Sequence, residues 1–155
     1  MNVDLTCLMK LENMSEFNFK SSPCTSIEQG ERLLALGLKP ETADMHWFYT
    51  GKIHGWQHCS SETYIEAISH PFKKEWATNG VIQPAWSLHR LIEMMPEEMY
   101  GGLLCIFKDS IRYEEVIMDR LEAHFEVVGD DMYENAISCI EWLIKEGYFN
   151  KEYLV

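Results

Sequence analysis

In the last quarter of the chain, Tyr133, Ala136, Ile137, Ile140, Leu143 and Ile144 recur at intervals of three and four residues, the spacing of one apolar face of a helix. The pattern predicts a helix over 131–147. Both ends are punctuated: Asp131 is placed to cap the first turn with Glu134 reaching back as its capping-box partner, Lys145 falls in the last turn, and Gly147 can take the left-handed position past the end. A stripe this broad must be buried, and short apolar runs upstream supply the strands to bury it against. This helix is the organiser of the predicted fold.

Two further helices are marked the same way. Over 26–36, Ser26 and Gln29 form a capping-box pair, Ile27, Leu33, Leu34 and Leu36 supply the apolar side, and Gly37 is the stop, although Gly30 in the interior lowers helix propensity. Over 87–95, Ser87 is the cap, Leu88, Leu91, Ile92 and Met95 form the stripe, and Pro96 forces an end. A shorter helix is predicted from Ser61 as cap, with Tyr64, Ile65 and Ile68 as its buried set.

Strands are predicted where the period falls to two or where apolar runs are short. Met45, Trp47 and Tyr49 alternate with His46 and Phe48, which puts aromatic rings on both faces. Residues 103–108 form an apolar run that Asp109-Ser110 can turn back into 111–119, and 123–129 is another strand candidate. A helix over 111–126 competes, through Tyr113, Ile117, Leu121 and Phe125. The clustering of Ile, Val, Tyr and Phe favours strands. Residues 51–59 read as a turn or irregular loop because of two glycines, and 72–83, containing Asn79-Gly80, as a loop. At the N-terminus, Val3, Leu5, Cys7, Met9 and Leu11 alternate as a half-buried strand or a frayed terminal helix, followed by a polar connector to residue 25. The apolar tail 148–155 is expected to fold back over the helix end.

The resulting expectation is a single α+β domain over 1–155: a small, mainly antiparallel sheet packed on one face by about three helices, the C-terminal amphipathic one among them. A length of 155 residues with 46% hydrophobic and 12% aromatic content can fill one core. Charge narrows the partners. The chain has 13 basic and 25 acidic residues, a net −12, and residues 109–155 hold 12 of the acids and 4 of the bases. That balance argues against direct nucleic-acid binding, which needs clustered Lys and Arg, and against an anionic membrane surface. Five widely spaced cysteines with no C-x-x-C pair argue against a disulfide framework. The start of the chain lacks the form of a secretory signal, so the cytoplasm is the expected compartment.

Three phrases, CTSIEQGERLLALGLKPETADMHW at 24–47, PAWSLHRLIEMMP at 84–96 and ENAISCIEWLIKEGYFNKEYL at 134–154, resemble a family of small uncharacterised proteins encoded by gut-dwelling anaerobic bacteria and their phages or mobile elements. The resemblance covers these blocks and not the stretches 52–83 and 97–130. It implies an intracellular accessory protein, and it carries over no activity, cofactor or catalytic residue.

Candidate chemistry is sparse. His46, His54, His58 and Cys59 fall within 14 residues, and the spacing His54-x-x-x-His58 suits one metal ion if the segment is helical. Gly55 between them disfavours that helix, and a second ligand pair at short spacing is lacking. Cys59 adjoins His58 in sequence, but neighbours in a strand point to opposite faces. No phosphate-cradling, dinucleotide or serine-hydrolase motif occurs in its usual form, and no cofactor is expected. The remaining signal is aromatic: the middle third holds Trp47, Phe48, Tyr49, Trp56, Tyr64, Trp76 and Trp86. Large aromatics fill cores, and when exposed they anchor interfaces. Trp47, Tyr49, Trp56 and His46 are the candidate binding residues. The leading expectation is a non-catalytic interaction or regulatory protein with a protein partner, a homodimer being one form. Two rivals are a small metal-dependent hydrolase using His54 and His58, and an acidic nucleic-acid mimic that inhibits a basic protein.

Overall fold

The computed structural model describes residues 21–49, 55–63 and 82–155. The N-terminal strand or frayed helix expected over 3–11, most of the helix expected from Ser61, and most of the 72–83 loop lie outside them. Helices α1 (Ile27–Ala35), α2 (Leu88–Glu93) and α3 (Met132–Glu146) fall where the periodicity puts them. The strands form two antiparallel sheets. One is three-stranded, from β1 (Met45–Tyr49), β2 (Trp56–Ser60) and β3 (Ile82–Ala85), in the order β2-β1-β3. The other is four-stranded, from β4 (Glu98–Met99), β5 (Gly102–Ile106), β6 (Ser110–Ile117) and β7 (Arg120–Val128), in chain order.

The chain is thus α+β, with two sheets where the sequence suggested one. The strands beyond those expected are β2, in a stretch read as irregular, β3, whose first two residues are read as loop, and the two-residue β4. Among the described residues β2 and β3 are the edges of a short sheet in which β1 carries the pairing, Met45–Tyr49 against Trp56–Ser60 on one side and Met45–Phe48 against Ile82–Ala85 on the other. Pro84 is tolerated because an edge strand has one side free of ladder bonds. Over 111–126 the strand alternative holds: β6 and β7 form a hairpin joined by Met118-Asp119, both at positive φ, as a two-residue type I′ turn requires.

α3 does organise the interior. Ala136, Ile137, Cys139, Ile140 and Leu143 are buried, while Tyr133 and Ile144 flank them half-buried. The stripe packs on Ile111 and Tyr113 of β6, and Trp142 stacks on Phe125 of β7 at 4.5 Å. Asp131 caps the first turn by accepting from the Tyr133 N–H at 2.9 Å, and Gly147 ends the helix at φ 81°. The expected capping box does not form. Glu134 turns instead to α1, where it accepts from Gln29 Nε2 at 2.7 Å and pairs with Arg32, whose other nitrogen meets Glu141 at 2.6 Å. These are half-exposed bridges, each worth under about 1 kcal/mol. Each fully buried Ile or Leu contributes roughly 2 kcal/mol of transfer free energy, so packing rather than charge holds α1 to α3.

The capping box of α1 is present, with Ser26 Oγ accepting from the Gln29 N–H and Gln29 Oε1 accepting from the Ser26 N–H. Thr25 beside it is a clip between elements. Its N–H donates to Trp86 O, its Oγ1 accepts from the Trp86 N–H, and its carbonyl accepts from Trp47 Nε1. At the other junction the Asp44 carboxylate accepts from both the N–H and the hydroxyl of Ser87, the cap of α2. Chain-end contacts complete the frame: Leu38 pairs with Leu154, Val155 N donates to Gly37 O, and Phe149 is buried.

Gly30, which lowers the propensity of α1, has a packing reason. A Cβ there would lie 2.8 Å from the Pro84 carbonyl oxygen. Gly30→Ala gains about 1 kcal/mol of helix propensity but forces α1 off β3, an overpacking cost of about 1–3 kcal/mol. A net loss in the urea midpoint is expected; a gain would show that the two elements part without cost.

Candidate functional site: an aromatic sheet face

Residues directly opposite each other in antiparallel strands project on the same face. In the three-stranded sheet Trp47 faces His58 and Tyr49 faces Trp56, so three of the four candidate binding residues share one face with His58. The rings touch in pairs: Trp47 and His58 lie perpendicular at 5.2 Å, Tyr49 and Trp56 at 5.6 Å and 61°. Trp47 is fixed, its indole N–H donating to Thr25 O at 2.7 Å. At the outer end of this face Tyr49 and Trp56 stay 39% and 36% exposed. The face therefore has one anchored ring, the half-buried Trp47, with His58, Tyr49 and Trp56 exposed around it.

His46, the fourth candidate, points to the opposite face. There it is the cross-strand partner of Cys59, and its Nδ1 lies 3.2 Å from Ser61 Oγ. Burial pushes the His46 pKa down, with Asp44 partly opposing, and burial pushes the Cys59 thiol up. Both are held neutral. A nucleophilic cysteine needs the reverse, a thiolate beside an imidazolium, so this cross-strand pair lacks the electrostatics of a catalytic dyad.

The metal reading requires a helix through His54 and His58. His54 lies outside the described residues, and His58 is on β2, whose extended backbone removes the helical geometry that the spacing relied on. His58 and Cys59 face opposite ways. Among the described residues no three His, Cys, Asp or Glu side chains converge as a metal-binding group. The short helix expected from Ser61 begins one residue differently: residues 61–63 are helical and Ser60 is the cap, accepting from the Thr63 N–H at 3.3 Å.

Trp86 belongs to the core, while Tyr64 and Trp76 lie outside the described residues. A cavity of about 240 Å³ is lined by Glu41, Thr42, Ala43, Arg90, Met94 and Tyr153, below the roughly 300–1,000 Å³ of typical ligand pockets. Among the described residues no helix is long and apolar enough to cross a membrane. Comparison with protein-family models, with curated proteins and with solved structures finds no match.

Sequence reasoning missed a second surface, the outer face of the four-stranded sheet. On it Arg112 is paired with Glu114 at 3.2 Å and Glu126 at 2.7 Å, and its guanidinium lies 5.0 Å from the Phe107 ring centre. Beyond this charged row Val116 and Leu121 are exposed. The signal was the alternation within β6 and β7, which competed with a helical spacing over the same residues.

Proposed function

We propose that this chain is a non-catalytic interaction protein that binds a protein partner through the aromatic face of its three-stranded sheet and acts by covering the partner's surface. The observation that carries this reading is the placement of Tyr49 and Trp56, both exposed, on the same face as the anchored Trp47 and the exposed His58. Aromatic anchors held rigidly by neighbours lose little conformational freedom on binding, and such residues dominate interface energetics. In line with the resemblance of its three phrases, the protein is read as a cytoplasmic accessory factor of a bacterium, a phage or a mobile element.

Nucleic-acid mimicry draws no support from the ion pairs. Glu134 and Glu141 are engaged by Arg32, and Glu114 and Glu126 by Arg112, so part of the acidic charge it would present is answered within the chain. The test is capture with the tagged full chain in a bacterial lysate, followed by titration of the purified partner. Tyr49→Ala combined with Trp56→Ala is expected to weaken binding more than tenfold at an unchanged melting temperature. Equal affinity of the wild type and the double variant would overturn the reading.

A further inference from the structure

We propose that the free edge of β7 is a self-association site at which a second copy of the chain adds its own β7, antiparallel, through residues 120–122. Among the described residues β7 is the last strand of its sheet, next to β6 only. The two-residue turn makes Ile117 and Arg120 the hydrogen-bonded closing pair, so the next pair, Val116 and Leu121, is non-hydrogen-bonded. The N–H and C=O of Leu121 therefore point away from β6, out of the sheet edge. Further along, the register shifts between Tyr113 and Glu114, and such a bulge blunts an edge against pairing. The regular, open part of the edge is the stretch around Leu121.

Charge selects a second copy as the occupant. An antiparallel pairing centred on Leu121 sets its outward N–H and C=O against those of Leu121 in the second copy, and places Arg120 opposite Glu122 twice over. Within one chain Glu122 sits directly opposite Glu115, a like-charge cross-strand pair that is destabilising. Glu115 Oε2 lies 3.1 Å from His124 Nε2. Among the described residues neither Glu122 nor Arg120 has an ion-pair partner, and the reciprocal pairing supplies both. It also brings together apolar side chains that are open in the monomer, Leu121 at 69%, Val116 at 67% and Met118 at 93% exposure.

The contact is small, so the dimer is weak and concentration-dependent. Two chains of net charge −12 repel each other, and at physiological ionic strength that repulsion is screened beyond about 8 Å.

Sedimentation velocity of the full chain at that ionic strength, from micromolar to millimolar loading, is expected to show a monomer–dimer equilibrium. Leu121→Pro removes an N–H that does not bond within the monomer and should leave a folded monomer. Arg120→Glu should weaken the dimer at least tenfold, and Arg120→Glu with Glu122→Arg should restore it. The charge pair decides the matter even if the proline variant is unstable. A wild type that stays monomeric throughout, or a dimer indifferent to the single charge reversal, overturns the proposal. The Tyr49→Ala, Trp56→Ala variant is expected to dimerise as the wild type does; loss of the dimer there would overturn this assignment and move self-association to the aromatic face.

Discussion

Trp86→Ala is expected to lower the free energy of unfolding by about 4 kcal/mol, within the 3–5 kcal/mol found for deleting a buried tryptophan. Trp86 is fully buried, and it sits where β3 runs into α2, in contact with the core shared by α1 and α3. Its backbone bonds to Thr25 survive the substitution, since both use main-chain atoms of residue 86. What is lost is the ring and the bond from Nε1 to Thr42 Oγ1 at 3.0 Å. Trp86→Phe separates the two losses, because it keeps most of the buried ring while leaving Thr42 Oγ1 without that donor. Thr42 still donates to Lys39 O, so the phenylalanine variant should lose about 1–2 kcal/mol. Chemical denaturation of both variants measures the difference. A loss under about 1 kcal/mol for alanine would mean that the site collapses around the void, contrary to the rigid clip formed by Thr25. Small domains have only about 5–15 kcal/mol in total, so the alanine variant should be close to unfolding at body temperature.

Trp86 also shows what the sequence could convey. Its type was legible as core or interface, but the choice between them was not, because that depends on pairings across 61 residues to Thr25. The helices were legible because their signals are local: the periodicity of α3, the caps Ser26, Ser87 and Asp131, and the stops Gly37, Gly147 and Pro96. Glu134 shows where local reasoning stops. Its spacing from Asp131 suits a capping box, yet Gln29 and Arg32 of α1, more than a hundred residues away in sequence, compete for its carboxylate and win. β2 was missed for a related reason. The sequence WQHCS has neither the β-branched content nor the alternation of a half-buried strand, and it becomes one by pairing with the aromatic β1.

The candidate site was legible in half. The period of two in β1 already put Trp47 and Tyr49 on one face and His46 on the other. Grouping His46 with the tryptophans ignored that alternation. The contribution of β2, which brings Trp56 and His58 to the same face, depended on a register that turn chemistry at residues 50–55 does not specify from sequence. The β7 edge required knowing which strand ends its sheet. Strand order is a property of the whole fold, whereas the charge pattern Arg120-Leu121-Glu122 that makes the edge self-complementary was visible throughout.

Alkaline pH is expected to destabilise the protein steeply above pH 9, and Cys139 should account for much of the slope. Cys139 is fully buried on α3, and burial pushes its thiol from an ordinary value near 9.0 up to about 12. Cys24 moves the same way, up to about 11, through burial first and then the charges of Asp44 and Cys59, and burial also raises the Tyr113 phenol. In the unfolded chain these thiols lose their protons near pH 9, while the folded chain keeps them. Between the unfolded and folded values the native state therefore binds more protons, and stability falls as pH rises. The contribution of the neutral thiol is complete below pH 9 and is lost progressively toward pH 12. For Cys139 the slope rises toward about 1.4 kcal/mol per pH unit, which gives roughly 2 kcal/mol between pH 9 and 11. Lysine deprotonation acts over the same range, so the comparison with Cys139→Ala carries the test. The variant should be about 1 kcal/mol less stable at pH 7 because a small void replaces the sulfur, and it should lose less on titration, so that the two urea-midpoint curves converge and cross near pH 10. Parallel curves would mean that the thiol reaches water in the native state, and the packing of α3 against β6 would then be looser than the burial of Ile137, Ile140 and Tyr113 implies.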